Sequence, residues 1–223
     1  MTGLFRWAAA LLLPCVVAIA GWLYAGRWHP SPARFPLQGI DLLMAPGPVE
    51  WGSVRAAGAD FAYLVATQGH RREPSFEANW AALPEAGLRR GAVHLFSLCE
   101  PAGTQANAFN VVVPQSADAL PAAVDVSYRD DCADRPAPAT LLAGLRRFLA
   151  TVEVHTGKPL LVRVSRAVDA DYRLTAALER PVWAMANWFD PAYPARRWRM
   201  WRANDLRRVD GVTGPVNWDV VAP

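Results

Sequence analysis

Lysine is almost missing from this 223-residue chain: of its 23 basic side chains, 22 are arginine and the exception is Lys158. Against 20 acidic residues the net charge is only +3, so the arginine bias reads as base composition and not as a code for an anionic polymer. Cysteine and histidine are also scarce, at three and four. Neither falls into Cys-x-x-Cys or His-Glu-x-x-His spacing, which excludes the usual zinc patterns. No glycine-rich phosphate loop follows the first strand-like segment, and no Gly-x-Ser-x-Gly turn surrounds Ser127. Nucleotide binding at a strand-to-helix turn and a serine-hydrolase elbow are thereby set aside. Charged residues are 19% and hydrophobic ones 52%, which is not the composition of a disordered chain. Internal repeats and low-complexity segments are absent too, and nothing in the pattern calls for a cofactor or a metal.

What is present begins with Trp7–Ala25, an uncharged and mostly apolar run flanked by Arg6 and Arg27. Its length is enough to cross a bilayer core, and Pro14 is tolerated in such helices. Two readings stand: an uncleaved anchor, or a signal peptide cut after Ala20 or Ala25. The run exceeds the core of a typical signal peptide, which favours the anchor. Both readings export the remainder, membrane-anchored and facing the periplasm or exterior in the first case. An exported domain is not expected to meet nucleic acid. Residues 1–27 are thus assigned to the membrane segment and 28–38, with Pro30, Pro32 and Pro36, to a short tether. Residues 39–223 are assigned to one domain.

In that domain, apolar strand-like runs alternate with helix-like ones. Strands are expected at Gln38–Leu43, Phe61–Val65, Gly91–Phe96, Pro121–Val126, Pro159–Val164, Pro181–Ala186 and Trp198–Arg202. The clearest helix starts near Ala139, where Leu141, Leu142, Leu145, Phe148, Leu149 and Val152 recur at spacings of three and four. Gly157 supplies its stop. Such alternation indicates parallel βαβ units, and this many predict an α/β fold: an irregular (β/α) TIM-like barrel, with a doubly wound sheet as the alternative. Cys99 and Cys132 follow two of the expected strands. If those strands are neighbours, an oxidising compartment favours a disulfide over two free thiols.

The working residues of a βα-barrel cluster at the C-terminal strand ends. Reading those ends gives Asp41, Gln68, His94, Asp125 with Ser127, Trp183, Trp201 and the Asn217–Asp219 region. Residues i and i+2 of a strand share a face, so Asp125 and Ser127 point together. In a glycosidase that geometry presents two carboxyl groups to one sugar bond, but here only one is a carboxyl. Ten tryptophans suit sugar faces, or simply fill a core. Arg196, Arg197, Arg199, Arg202, Arg207 and Arg208 make the C-terminal region basic, as a solvated surface or toward an anionic partner.

Gly39-Ile40-Asp41, Val49-Glu50-Trp51 and Phe61–Gly69 resemble the opening of glycoside hydrolase family 25, the Chalaropsis-type lysozymes. The resemblance runs in order through Phe76–Trp80, Gly91–Phe96, Gln105–Phe109, Leu120–Asp125 and Val209–Asn217. It implies a short irregular βα-barrel and a muramidase. Such enzymes cut the β-1,4 bond between N-acetylmuramic acid and N-acetylglucosamine, so peptidoglycan strands are the implied partner. It also implies catalytic roles for Asp41 and Asp125, while the strand-end reading adds substrate contacts from Gln68, His94, Trp183, Trp201 and Asn217.

The departures fall on the chemistry. Ser127 stands where the family has its acid Glu, Gln68 where a Glu is usual, and Asn217 where the C-terminal Asp is expected. Leu42-Leu43-Met44-Ala45-Pro46 replaces the family's run after Asp41. A glycosidic oxygen leaves poorly without a positioned acid, which contributes roughly 10²–10⁴-fold. A serine hydroxyl is far too weak to replace it, and Asp130 and Asp131 are loop carboxylates beyond the rigid strand. Two classes therefore remain open: a muramidase of weak or lost activity, and a non-catalytic glycan-binding relative.

Overall fold

The computed structural model describes residues 2–43, 47–130, 132–133 and 135–223, with side chains from Pro14 onward. Met44–Pro46, within the divergent run after Asp41, and Asp131 lie outside these residues. The apolar N-terminal run lies in helix α1 (Thr2–Arg27). Among the described residues no helix is long and apolar enough to cross a membrane, and residues 7–13 of Trp7–Ala25 fall outside the described side chains.

Strands β1 (Gln38–Leu42), β2 (Phe61–Gln68), β3 (Arg71–Arg72), β4 (Arg89–Leu95), β5 (Ala123–Val126), β6 (Leu161–Val164), β7 (Val182–Met185), β8 (Trp198–Arg208) and β9 (Pro215–Val221) form one sheet. Pairing of β1 with both β2 and β9 closes eight of them into a barrel; β3 only folds back on the end of β2. The doubly wound alternative is thereby excluded. Pairing is parallel from β1 through β2 and β4 to β8, as the alternation predicts.

The last strand departs from that pattern. β9 runs antiparallel to both β8 and β1. Only Val209–Gly214 separates β8 from β9, too little chain for the crossover a parallel strand needs, so a hairpin results. Gly211, at φ 90°, lies in that turn, and a Cβ there would meet the Glu50 carbonyl oxygen at 2.6 Å.

Alternation along each strand divides the core into two layers. Phe61, Tyr63, Val65, Val93, Leu95, Ala123, Leu161, Trp183 and Met200 fill the lumen. Ile40, Ala62, Leu64, Ala92, Val124, Val126, Val162 and Val164 face outward against the helices. Helix α5 (Pro138–Thr156) buries Leu141, Leu145, Phe148, Leu149 and Val152, the face its spacing predicts, and ends at Gly157 in the left-handed conformation. The segment read as a tether lies against the barrel: Phe35 is buried beside Trp198 and Trp201, and Trp28 meets Trp188. Asn204 Nδ2 donates to the Ala25 and Trp28 carbonyls, each at 2.8 Å, which seats the end of α1 on β8.

Candidate active site: carboxylates held by arginine

The lumen-facing positions near the C-terminal strand ends bring together Asp41 of β1, Asp125 of β5, Arg163 of β6, Trp183 of β7, and Asn217 and Asp219 of β9. Register explains it. Asp125 is level with Arg163, Arg163 with Trp183, and Asp41 with Asn217. Arg163 is the centre of the cluster. Its Nη1 lies 2.8 Å from Asp41 Oδ1 and its Nε 2.8 Å from Asp125 Oδ2. Arg129, from the loop after β5, takes the other oxygen of Asp125. Asn217 Nδ2 donates to Asp41 Oδ1 at 2.9 Å, and Trp183 Nε1 to Asp219 Oδ1 at 2.9 Å. The Arg163 guanidinium carbon lies 4.8 Å from the centre of the Trp183 ring.

The charges in this layer are fixed by burial. Arg163 is 1% exposed, and burial alone would lower its pKa. Asp41 and Asp125 outweigh that and hold the guanidinium charged. Asp219 is 0% exposed, and its carboxyl is pushed well above the usual carboxylate range, first by burial and then by the charge of Asp41, against the pull of Arg163. Its neutral form is thereby favoured over the carboxylate. Asp41 Oδ2 and Asp219 Oδ2 are otherwise buried without partners. One proton on Asp219, directed at Asp41, satisfies both, because a protonated carboxyl is a donor. Two carboxylates thus face two guanidiniums, and the layer is close to electroneutral.

The sequence-derived site residues separate into groups. Asp41, Asp125, Trp183 and Asn217 meet in this cluster. Ser127 stands half-buried just past β5, with no hydrogen bond to its hydroxyl among the described residues. A register shift after Val65 puts Gln68 level with the lumen-facing Leu95. His94 is on the opposite face of its strand. It is fully buried between Thr67 Oγ1 at 2.7 Å and Gln105 Oε1 at 3.0 Å and stacked on Phe148, with nothing presented to the mouth. Trp201 also faces outward, donating to the Ala186 carbonyl at 2.6 Å beside Phe35. Trp183 is wholly buried and serves as the floor of the cluster, not as an open platform. Cys99 and Cys132 form a disulfide, with Cα atoms 5.7 Å apart, between the loops that follow β4 and β5. Asp130 is exposed in the second of these loops.

Arg163 and Arg129 escaped the sequence reading. A signal for Arg163 existed: a charge inside the apolar run Leu161-Val162-Arg163-Val164 is not buried unless paired. Nothing comparable marked Arg129, whose role depends on how its loop folds back.

The chain matches the description of glycosyl hydrolases family 25 over residues 40–212. It is 31% identical over 197 residues to the uncharacterized protein YegX of Escherichia coli K12, covering 85% of this chain and 71% of that protein. It is 28% identical over 196 residues to lysozyme M1 of Streptomyces globisporus, covering 81% of this chain and 66% of that one. Among solved structures, a family 25 glycosyl hydrolase from Bacillus anthracis superposes with a TM-score of 0.80 at 23% identity, over 89% of this chain and 93% of that chain. The bacterial lysozyme of Streptomyces coelicolor superposes with a TM-score of 0.76 at 24% identity, over 84% and 92%. Both share the fold. Since the sequence match spans most of the chain and agrees with the barrel that the structure builds, this protein belongs to glycosyl hydrolase family 25.

Proposed function

We propose that this protein holds peptidoglycan strands at the barrel mouth without cutting them at a muramidase rate. The observation that carries this reading is Arg163, buried between Asp41 and Asp125 and pairing with both. A carboxylate that attacks a sugar, or stabilises an oxocarbenium-like transition state, needs uncompensated negative charge. Here each retained carboxylate already faces a guanidinium, and Asp125 faces two. The Ser127 hydroxyl is too weak an acid to protonate a leaving oxygen. Asp219 keeps a proton but is entirely buried, too deep to touch substrate. Each loss acts in the same direction.

On the same proposal, the barrel lies outside the cytoplasm and α1 holds it at a membrane surface. Val16, Val17, Ile19, Trp22, Leu23 and Tyr24 of that helix are large, apolar and exposed, and the disulfide suits an oxidising compartment. Alkaline carbonate extraction and the N-terminus of the mature chain check this part. A released chain beginning at Gly21 or Gly26 would replace the anchor with a cleaved signal.

The activity itself is tested by incubating the protein with purified peptidoglycan. Co-sedimentation and reducing-end release are measured together. Binding without release is expected. Release that disappears in Asp125→Asn would overturn the non-cutting reading, and failure to bind at all would remove the glycan. Ser127→Glu alone is expected to leave the protein inactive, because Arg163 and Arg129 still hold Asp125.

A further inference from the structure

The opposite end of the barrel contains a cavity. About 600 Å³ opens at the N-terminal strand ends, lined in its depth by Phe61, Tyr63, Leu120, Leu161, Met200 and Val221. This size is ordinary for a small-molecule site, roughly 300–1,000 Å³, whereas the interior of a small closed barrel is normally filled by side chains. The lining side chains do not leave room by being small. Phe61 and Tyr63 already occupy the space released by two glycines, since a Cβ at Gly39 or Gly91 would meet their rings within 2.5 Å. The Tyr63 hydroxyl is engaged by the Pro121 carbonyl at 2.8 Å and offers the cavity mainly a ring. An apolar space of this kind is poorly wetted and takes apolar matter readily.

The rim has the opposite character. Arg89, Arg197 and Arg199 line it, all exposed, with no acidic partner among the described residues. Arg199 makes only a 3.4 Å hydrogen bond to the Ala222 carbonyl. The acidic side chain at the rim, Asp60, is already engaged by the Gln38 backbone N–H at 3.1 Å and by Arg55 at 3.4 Å. An apolar pit under three free cations fits a molecule with an aliphatic body and an anionic head. We propose that this end of the barrel binds such an amphiphile, tail inward against Phe61, Leu161 and Met200, and head at Arg89, Arg197 and Arg199. The site is separate from the carboxylate cluster. Trp183 divides the two, with Tyr63 4.9 Å away on the cavity side and Arg163 on the other. The inference holds whether or not the mouth cuts glycan.

Calorimetric titration of the full chain tests it, with dodecanoate, dodecyl phosphate and dodecanol as probes. The two anions are expected to saturate one site, with dodecanol at least about tenfold weaker, a factor of the size that a few surface cations supply. The tighter of the two anions distinguishes a fatty-acid carboxylate from a phospholipid-type phosphate. Arg89→Gln/Arg197→Gln/Arg199→Gln, all exposed and safe for folding, is expected to erase the preference for anions. Leu161→Trp is expected to abolish binding by filling the pit. If that variant misfolds, the arginine variant alone decides. Equal binding of dodecanol, no saturable binding, or binding indifferent to the arginine variant would overturn the proposal. Uptake by the apolar face of α1 would appear as such indifference.

Discussion

The two faces of the barrel wall each bury a polar network, and the networks differ in kind. On the outer face, His94 bridges Thr67 Oγ1 and Gln105 Oε1, and Gln105 Nε2 donates to the Ser97 and Glu100 carbonyls, each at 2.9 Å. The backbone N–H of Ser97 returns to Gln105 Oε1 at 2.8 Å. Each of these groups has a partner, and the network carries no net charge while His94 is neutral. On the inner face, three aspartates and two arginines are packed together, and two carboxylate oxygens are reconciled only by a proton on Asp219. A complete, neutral network behaves as scaffold. A charged one that closes only through a retained proton and paired ions depends on every partner staying in place. Both contain residues that looked functional in the sequence, and completeness tells them apart.

The largest effect expected is at Arg163. Arg163→Met removes the shared partner of Asp41 and Asp125 and leaves buried carboxylates uncompensated, which costs about 3–5 kcal/mol. Thermal unfolding at neutral pH reads this, and a loss confined to the alkaline side would show that protonation had rescued the aspartates. Reduction of Cys99–Cys132 comes next. The bridge closes 33 residues of chain separation, worth about 3–4 kcal/mol in the loop-entropy picture. It is expected to free the loop carrying Arg129 and leave the His94 network intact, a difference that hydrogen exchange resolves.

The outer network has its own test. Burial lowers the His94 pKa from 6.5 to about 4. Because the folded value is depressed, the stabilisation is present above pH 6.5 and is lost as pH falls from there toward 4. The span corresponds to about 3 kcal/mol. His94→Gln should flatten this limb, and an unchanged slope would assign the acid sensitivity to other groups.

The smallest effect is at Asp219. Its folded pKa is raised, so its contribution is full below the unfolded carboxylate value and is lost as pH rises from there through the folded value. Asp219→Asn keeps a neutral donor in place of the carboxylic acid. No loss of stability at neutral pH is expected, because there the unfolded aspartate ionises while the folded one resists it, together with less destabilisation as pH rises above the unfolded carboxylate value. A large neutral-pH loss would mean that Asp219 is ionised and that the cluster carries net negative charge.

Much of this was legible in the sequence. The alternating segments and the α5 face at Leu141, Leu145, Phe148 and Val152 encode burial through period, which is local. The residue identities at Ser127, Gln68 and Asn217 were legible as well, because they fall in segments that resemble the family in order. The antiparallel β9 was not read. Its direction is set by the short turn Val209–Gly214, not by any pattern within the strand itself. Placing His94 and Trp201 at the mouth failed for a related reason. A strand end gives a residue its height in the barrel, but which face it takes depends on the phase of alternation, and one bulge after Val65 resets that phase in β2.

By itself the sequence determined the α/β barrel class, the family and the absence of an acid at position 127. Those are properties of periodicity and residue identity along the chain. Only the tertiary structure decided that Asp41 and Asp125, 84 positions apart in the chain, share one guanidinium from a third strand. It also decided that Arg129 folds back onto the same carboxylate. Ion pairing in a closed barrel depends on register between strands distant in sequence, and a linear pattern does not carry that register.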